Sequence, residues 1–288
     1  MIILALVGAL LLATGCSTPA NGPADLTKGK SAKQILEESL DKWYQAENYE
    51  IDLTSTIKMS ASGETFDMSM SGKGIIFQKP LKTKIAMEMS IPGLDEKARI
   101  EQYMIEEDGK FVLYQYLDSQ WQKMTFDDPA LLEMAQMDPR DNLELFLDNL
   151  IQAEIVGEEK IGDSDTVIIN LTASADLYDE VLATIGGEDF GVSAELMTQD
   201  ILSKMGDLNY TIWVDKHTLD TVKCSIDLSE NIRNLGNAMS ETEDFPAEVK
   251  EAFASMEMAM EFRVLNINSA PDFTVPEEAK KAREMVLP

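Results

Sequence analysis

From Tyr49 the chain alternates with a period of two: Tyr49, Ile51, Leu53, Ile57 and Met59 point one way, Glu50, Asp52, Thr54, Thr56 and Lys58 the other. That pattern predicts a strand with one buried and one wet face. Gly63 marks a turn, and the return strand sets Phe66, Met68 and Met70 against Asp67, Ser69 and Ser71. Gly72 and Gly74 follow, and glycines inside a strand predict a bend or bulge before Ile76. The alternation continues through Ile85, Met87, Met89 and Ile91, from Arg99 to Ile105, and from Phe111 to Leu117 after the Glu107-Asp108-Gly109-Lys110 turn.

Helical signals frame and interrupt this meander. Ser31 and Gln34 have the capping-box spacing, and Ala32, Leu36, Leu40 and Trp43 form one stripe, which predicts a helix ahead of the first strand. Asp128-Pro129 and Asp138-Pro139 each place an N-cap before a first-turn proline, with Leu143, Phe146, Leu147 and Leu150 at helical spacing behind them. Strands resume at Ala153 to Val156 and Thr166 to Leu171. Two more helices are predicted near Asp176 to Ile185 and Ala194 to Met205, then strands at Leu208 to Val214 and Leu219 to Leu228. The segment from Asn231 to Pro246 admits helix, hairpin or lid and is read as a surface loop. In the last strand Met256, Met258, Met260, Phe262 and Val264 share a face, and Glu257, Glu261 and Arg263 take the other. The sum is an α+β domain over residues 31–288, with about ten or eleven antiparallel strands and several helices. No composition shift divides it and no solenoid repeat appears.

The N-terminus gives an address. Ile2 to Ala13 is an uncharged apolar run, too short for a membrane span of about 20 residues and suited to the apolar region of an export signal, typically about 7–15 residues. Leu11-Leu12-Ala13-Thr14-Gly15-Cys16 resembles a bacterial lipobox. The resemblance implies that residues 1–15 are a lipoprotein signal peptide and that Cys16 becomes a lipidated N-terminus, tethered by residues 16–30, which are rich in small residues, Pro and Gly. The expected home is the outer face of the cytoplasmic membrane, at the cell surface, because two acyl chains suffice for stable anchoring.

Charge narrows the partners. With 24 basic and 52 acidic residues the net charge is −28, which repels nucleic acid and disfavours attachment to anionic lipid through surface charge. No catalytic or metal-binding residues are predicted and no cofactor is implied. His217 is the one histidine and stands in the Asp215-Lys216-His217-Thr218 turn, so neither a histidine triad nor a zinc site can be assembled around it. No nucleophile elbow, phosphate loop or complete dinucleotide fingerprint occurs; Gly72-Lys73-Gly74 lacks its third glycine. Asp163 and Asp165 lack the rest of a calcium loop, and carboxylate pairs such as Asp127/Asp128 and Glu158/Glu159 are expected from composition alone. Cys224 lies on an alternating apolar face with Val222 and Ile226 and reads as a small buried hydrophobe.

The methionines change the picture most. There are 17, and on strands they recur two apart: Met68 and Met70, Met87 and Met89, then Met256, Met258 and Met260 ahead of Phe262. Strands favour β-branched and aromatic residues, so repeated flexible thioethers on an inward face suggest an adaptable apolar wall, and these eight residues are the candidate lining of a cavity for acyl chains.

Several features together resemble the LolA/LolB/LppX-type lipoproteins: the export signal with its lipobox, the helix before the first strand, the long antiparallel strands, the mid-chain helices, and a late strand ending near Pro271-Asp272-Phe273-Thr274-Val275-Pro276. Local phrases agree, among them Ile155-Val156-Gly157-Glu158-Glu159-Lys160-Ile161 before Thr166 to Leu171, and Tyr210-Thr211-Ile212-Trp213-Val214-Asp215-Lys216 before Thr221-Val222-Lys223. The resemblance implies an unclosed antiparallel half-barrel wrapped over helices. It also implies a cavity that binds or shuttles a lipid, glycolipid or acylated protein, with no chemistry. The alternative is a non-transporting sensor or assembly module that binds an envelope protein through the same fold.

Overall fold

The computed structural model describes residues 24–61, 63–93, 97–117, 119–126, 145–178, 199–241 and 247–285. Twelve strands form one sheet: β1 (Asn48–Ala61), β2 (Glu64–Gln78), β3 (Leu81–Ser90), β4 (Ala98–Glu107), β5 (Lys110–Leu117), β6 (Gln120–Phe126), β7 (Leu150–Ile161), β8 (Ser164–Ala173), β9 (Leu208–Asp215), β10 (Thr221–Asp227), β11 (Glu257–Leu265) and β12 (Arg283–Glu284). Their spatial order is β12-β6-β5-β4-β3-β2-β1-β11-β10-β9-β8-β7, so the two ends never meet and the sheet stays open. Every pairing is antiparallel except the short parallel contact of β12 with β6. Hairpins join the first six strands in sequence, and β11 inserts beside β1, tying the late strands to the early meander.

Two of the twelve strands, β6 and β12, have no counterpart among the strands read from the sequence. In β6 the residues Gln120, Trp121, Gln122, Lys123 and Thr125 leave neither face consistently apolar, so periodicity gives no signal and pairing with β5 decides the conformation. Strand β12 has two residues and exists only because the C-terminal segment returns to β6.

The helices are α1 (Ala32–Tyr44), α2 (Gln199–Leu202) with the 3-10 turn Ser203–Met205, α3 (Ser229–Ser240), α4 (Ala247–Ser255) and α5 (Glu277–Lys280), with a further helical turn at 145–148. Helix α1 starts as expected: the Ser31 hydroxyl accepts from Gln34 N while the Gln34 side chain accepts from Ser31 N. The reading of Asn231 to Pro246 as a surface loop is corrected over Asn231–Ser240, which belongs to α3. Ile232, Leu235, Ala238 and Met239 are buried at helical spacing, a stripe diluted in the sequence by Asn231, Arg233, Asn234 and Asn237. Residues 242–246 lie outside the described residues, as do the helix starts expected at Asp128-Pro129 and Asp138-Pro139 and most of the helix expected from Asp176 to Ile185. The described part of the helix expected from Ala194 to Met205 is α2 with its 3-10 extension.

Helices α1 to α3 cover one face of the sheet. Ala32, Ile35 and Leu36 of α1, Ile201 and Leu202 of α2, and Leu235, Ala238 and Met239 of α3 bury against Val167, Ile169 and Leu171 of β8 and Tyr210, Ile212 and Val214 of β9. A second cluster joins Leu40 and Trp43 of α1 to Tyr49, Ile76 and Val264, with the Trp43 ring stacked 6.5 Å from Phe262. On the opposite face the C-terminal segment folds back, and Val275 and Ala279 bury against Tyr103, Val112 and Tyr114. The outer segment with α5 thus packs on β4 and β5, and α1 to α4 on β8 to β11 and β1.

Candidate functional site

Antiparallel register places directly opposed residues on the same face, so the inward wall can be followed from strand to strand. One row reads Leu171, Tyr210, Ile226, Met260, Ser55, Met70, Met89 and Ala98, from β8 to β4. The next reads Ile169, Ile212, Cys224, Phe262, Leu53, Gly72, Met87 and Ile100. Beyond them, Met68 and Met258 both oppose Ile57. Seven of the eight residues expected to line a cavity, Met68, Met70, Met87, Met89, Met258, Met260 and Phe262, therefore share one face across β11, β1, β2 and β3. All seven are half-buried.

Met256 differs. It lies one residue ahead of β11, and its N–H donates to Phe253 O at the end of α4, so it ends a helix and takes no place in the ladder.

Gly72 and Gly74 also depart from expectation, because β2 pairs with β1 and β3 without a register shift and has no bulge there. The glycines make room. A Cβ at Gly72 would stand 3.0 Å from Met87 Cγ, and one at Gly74 only 2.6 Å from Ile51 Cγ1. Larger side chains from β3 and β1 lie across these positions, so the wall is notched at Ser55 and Gly72 and raised at the flanking methionines.

Over β8 and β9 the same face is closed by helices and buried, and Tyr49 and Ile76 are buried under α1, whereas at the methionines of β2, β3 and β11 it is half-buried. The apolar wall thus runs from a packed core to a partly open flank. Within the core, Tyr210 and Tyr178 bury hydroxyls that have no hydrogen-bond partner among the described residues. Burial pushes both phenols well above their ordinary value, and at Tyr178 the negative charge of Asp207 adds to the effect. Neither tyrosine was picked out by the sequence reading; the available signal was a phenol at an inward position of the alternation Leu208, Tyr210, Ile212, Val214.

The remaining expectations sit elsewhere. Cys16 lies outside the described residues. Residues 24–30, assigned to a flexible tether, are held in place: Leu26 N donates to Lys216 O at 2.7 Å, Thr27 is buried, and His217 Nδ1 lies 3.2 Å from Ala24 O. His217 stands in the turn between β9 and β10, where its own N–H donates to Asp215 Oδ1. Cys224 is buried and free, its thiol pushed up to about 12 by burial. Among the described residues no group of three or more His, Cys, Asp or Glu is placed to hold a metal, and no helix is long and apolar enough to cross a membrane. Two clefts formed by described residues are polar. One of about 720 Å³ borders the β8–β10 side, with Asn170, Thr172, Asn209, Thr211, Arg233 and Asn234 in its lining, and one of about 450 Å³ lies near His217. No methionine of the predicted wall lines either cleft.

The fold is an α+β domain with an open, almost wholly antiparallel sheet that carries α1 to α3 on one face and α5 on the other. The chain belongs to the family of unknown function designated DUF6612, whose model matches residues 31–284. No curated protein matches it. Among solved structures it is similar to the Mycobacterium tuberculosis lipoprotein LppX, at 13% identity and a TM-score of 0.45 over 84% of this chain and 97% of that one. It is similar to LprF from Mycobacterium bovis at 13% identity and a TM-score of 0.44, covering 86% of this chain and 96% of that one. It is also similar to a chain of the Pseudomonas aeruginosa MucA/MucB complex, at 12% identity and a TM-score of 0.32 over 86% of this chain and 62% of that one.

Proposed function

We propose that this is a non-enzymatic extracytoplasmic lipoprotein, anchored to the outer face of the cytoplasmic membrane through Cys16, that binds or shuttles an apolar guest between sheet and helices. The observation that carries the reading is the placement of Met68, Met70, Met87, Met89, Met258, Met260 and Phe262 on one half-buried face beside a closed core. Methionine side chains adapt to many chain conformers, which suits a guest with few polar groups to specify it. Burying a hydrocarbon chain stabilises the complex by about 0.8 kcal/mol per methylene, enough for several kcal/mol from a short stretch.

Native mass spectrometry of the mature protein, made without its signal, tests this: copurifying lipid is the expected result. Replacing Met68, Met87 and Met258 with polar residues should abolish retention while leaving the sheet folded by circular dichroism. If the substituted protein kept its lipid, the wall would not be the binding surface.

A second reading, a protein-binding envelope module, is favoured by one feature. Strand β7, the edge of the sheet among the described residues, exposes Ile151, Ile155 and Val156 by 59%, 41% and 49%. A protein that purifies free of lipid with a filled interior supports that role instead.

A further inference from the structure

The outer face of β8 and β9 carries a polar cleft that the apolar wall does not use. Asn170, Thr172, Asn209 and Thr211 alternate with the buried Leu171, Tyr210 and Ile212, so they stand on the side of the sheet away from α1 to α3. These four side chains lie in the lining of the cleft of about 720 Å³, and the first turn of α3 borders it at one end. Small-molecule sites usually measure about 300–1,000 Å³. The end wall is held in place: Asn231, 5% exposed, donates from Nδ2 to the carbonyls of Met205, Gly206 and Asp207 at 3.1, 3.3 and 3.0 Å, and Asn234 Nδ2 donates to Met205 O at 3.2 Å.

Two crossed pairs make the floor. Asn170 opposes Thr211, and Thr172 opposes Asn209. The Thr211 hydroxyl donates to Asn170 Oδ1 at 3.0 Å, and the Thr172 hydroxyl donates to Asn209 Oδ1 at 2.9 Å. Each amide is thereby oriented, with its Nδ2 left without an acceptor among the described residues and a lone pair left on the threonine oxygen. A donor and an acceptor side by side are what a single hydroxyl group needs, because it donates once and also accepts. The pairs are two residues apart along both strands, about 7 Å, so they can meet hydroxyls spaced along an extended ligand.

The same face is built differently over β10, β11 and β1 to β4, where charges pair with one another: Lys223 and Arg263 hold Glu261, Lys73 lies 3.8 Å from Asp52, and Arg99 lies 3.0 Å from Glu88. The cleft floor departs from that rule, with uncharged side chains whose amide donors are unspent. Charge around it selects the ligand. Glu154, which opposes Asn170 on β7, joins Asp207, Asp227 and Glu230 in the lining against the single cation Arg233, so an anionic ligand is repelled. We infer that this cleft binds a glycan of neutral or positive charge, its hydroxyls seated on the pairs of Asn170 with Thr211 and Thr172 with Asn209.

The test is titration calorimetry of the full-length protein with three tetrasaccharides: neutral chitotetraose, its deacetylated amine form, and anionic tetragalacturonate. Wild type should bind the first two, and tetragalacturonate about tenfold more weakly or not at all. The double variant Asn170→Ala, Asn209→Ala should lose about tenfold or more in affinity for chitotetraose, with an unchanged melting temperature because both side chains are exposed. Either single variant gives the same comparison if the double variant misfolds. Polar substitutions at Met68, Met87 and Met258 should leave saccharide binding intact, which keeps this site separate from the apolar wall. Undiminished binding to the double variant overturns the inference, as does loss of saccharide binding in the methionine variant. Failure of wild type to bind either of the first two probes overturns it as well, and so does tightest binding of tetragalacturonate.

Discussion

Met87 lies across Gly72, its Cγ 3.0 Å from where a Cβ would stand, and that contact joins β3 to β2 at the centre of the apolar wall. Two residues on, Ile51 lies across Gly74 in the same way but closer. The neighbours differ in stiffness. Methionine has three rotatable bonds and yields, while isoleucine is branched at Cβ and does not.

Gly72→Ala is therefore expected to shift stability by less than about 1 kcal/mol, because Met87 can change rotamer. Gly74→Ala is expected to cost about 1–3 kcal/mol, because a Cβ there meets Ile51 Cγ1 at 2.6 Å. Urea denaturation of the two variants checks the order. Equal costs would mean that backbone freedom, and not the crossing side chain, explains the glycines.

Gly236 makes a different prediction, since here the obstacle is backbone. A Cβ would stand 2.5 Å from Ala254 N and 2.8 Å from Phe253 C, so α3 and α4 touch through this glycine. Helix α4 buries no residue completely and is pinned at its end by Ser255, whose Oγ donates to Ser60 O and accepts from Ser60 N. Gly236→Ala should lift α4 before it unfolds the sheet, and hydrogen exchange should rise over residues 247–255 while β8 and β9 stay protected. A uniform rise in exchange would contradict this order of opening.

Much of this architecture was legible because alternation is a local signal that tertiary contacts reinforce. Strands β1, β2, β8, β9 and β11 carry clean inward and outward sets, and the Ser31/Gln34 capping box started α1 where expected. The failures share a cause: in β6, β12 and the polar-diluted α3, the conformation depends on partners distant in sequence. Gly72 and Gly74 were misread for the same reason, because the residues that need their space, Met87 and Ile51, sit on other strands. The common face of the methionines was legible, since period-two spacing fixes a face within each strand. Their alignment with Tyr210 was not, because register across six strands has no local signature.

Cys224 offers a direct probe of core opening. Its thiol is buried between Ile212 and Phe262 and, pushed up to about 12, stays protonated at neutral pH. In a variant lacking Cys16, a disulfide reagent should label it no faster than the core opens, with the rate following denaturant dependence. Rapid stoichiometric labelling in buffer would place the thiol at an accessible surface.

Asp215 yields the pH prediction. Burial acts to raise its pKa, but N–H groups of His217 and Thr218, at 2.8 and 2.9 Å from Oδ1, and the hydroxyls of Ser164 and Thr218 outweigh burial and hold the carboxyl below its usual 3.8. A folded-state value below the unfolded one stabilises the protein above the unfolded pKa, and that contribution fades as pH falls through about 4 toward the folded value. Acidification also relieves the repulsion within a chain of net charge −28, so the wild-type curve alone mixes two opposing effects. Asp215→Asn separates them. It should cost about 1–2 kcal/mol at pH 7, and the gap from wild type should narrow only below about pH 4. Denaturant melts of both proteins from pH 3 to 7 make the comparison, and a gap that stays constant across that range would mean the carboxylate charge does not strengthen the turn.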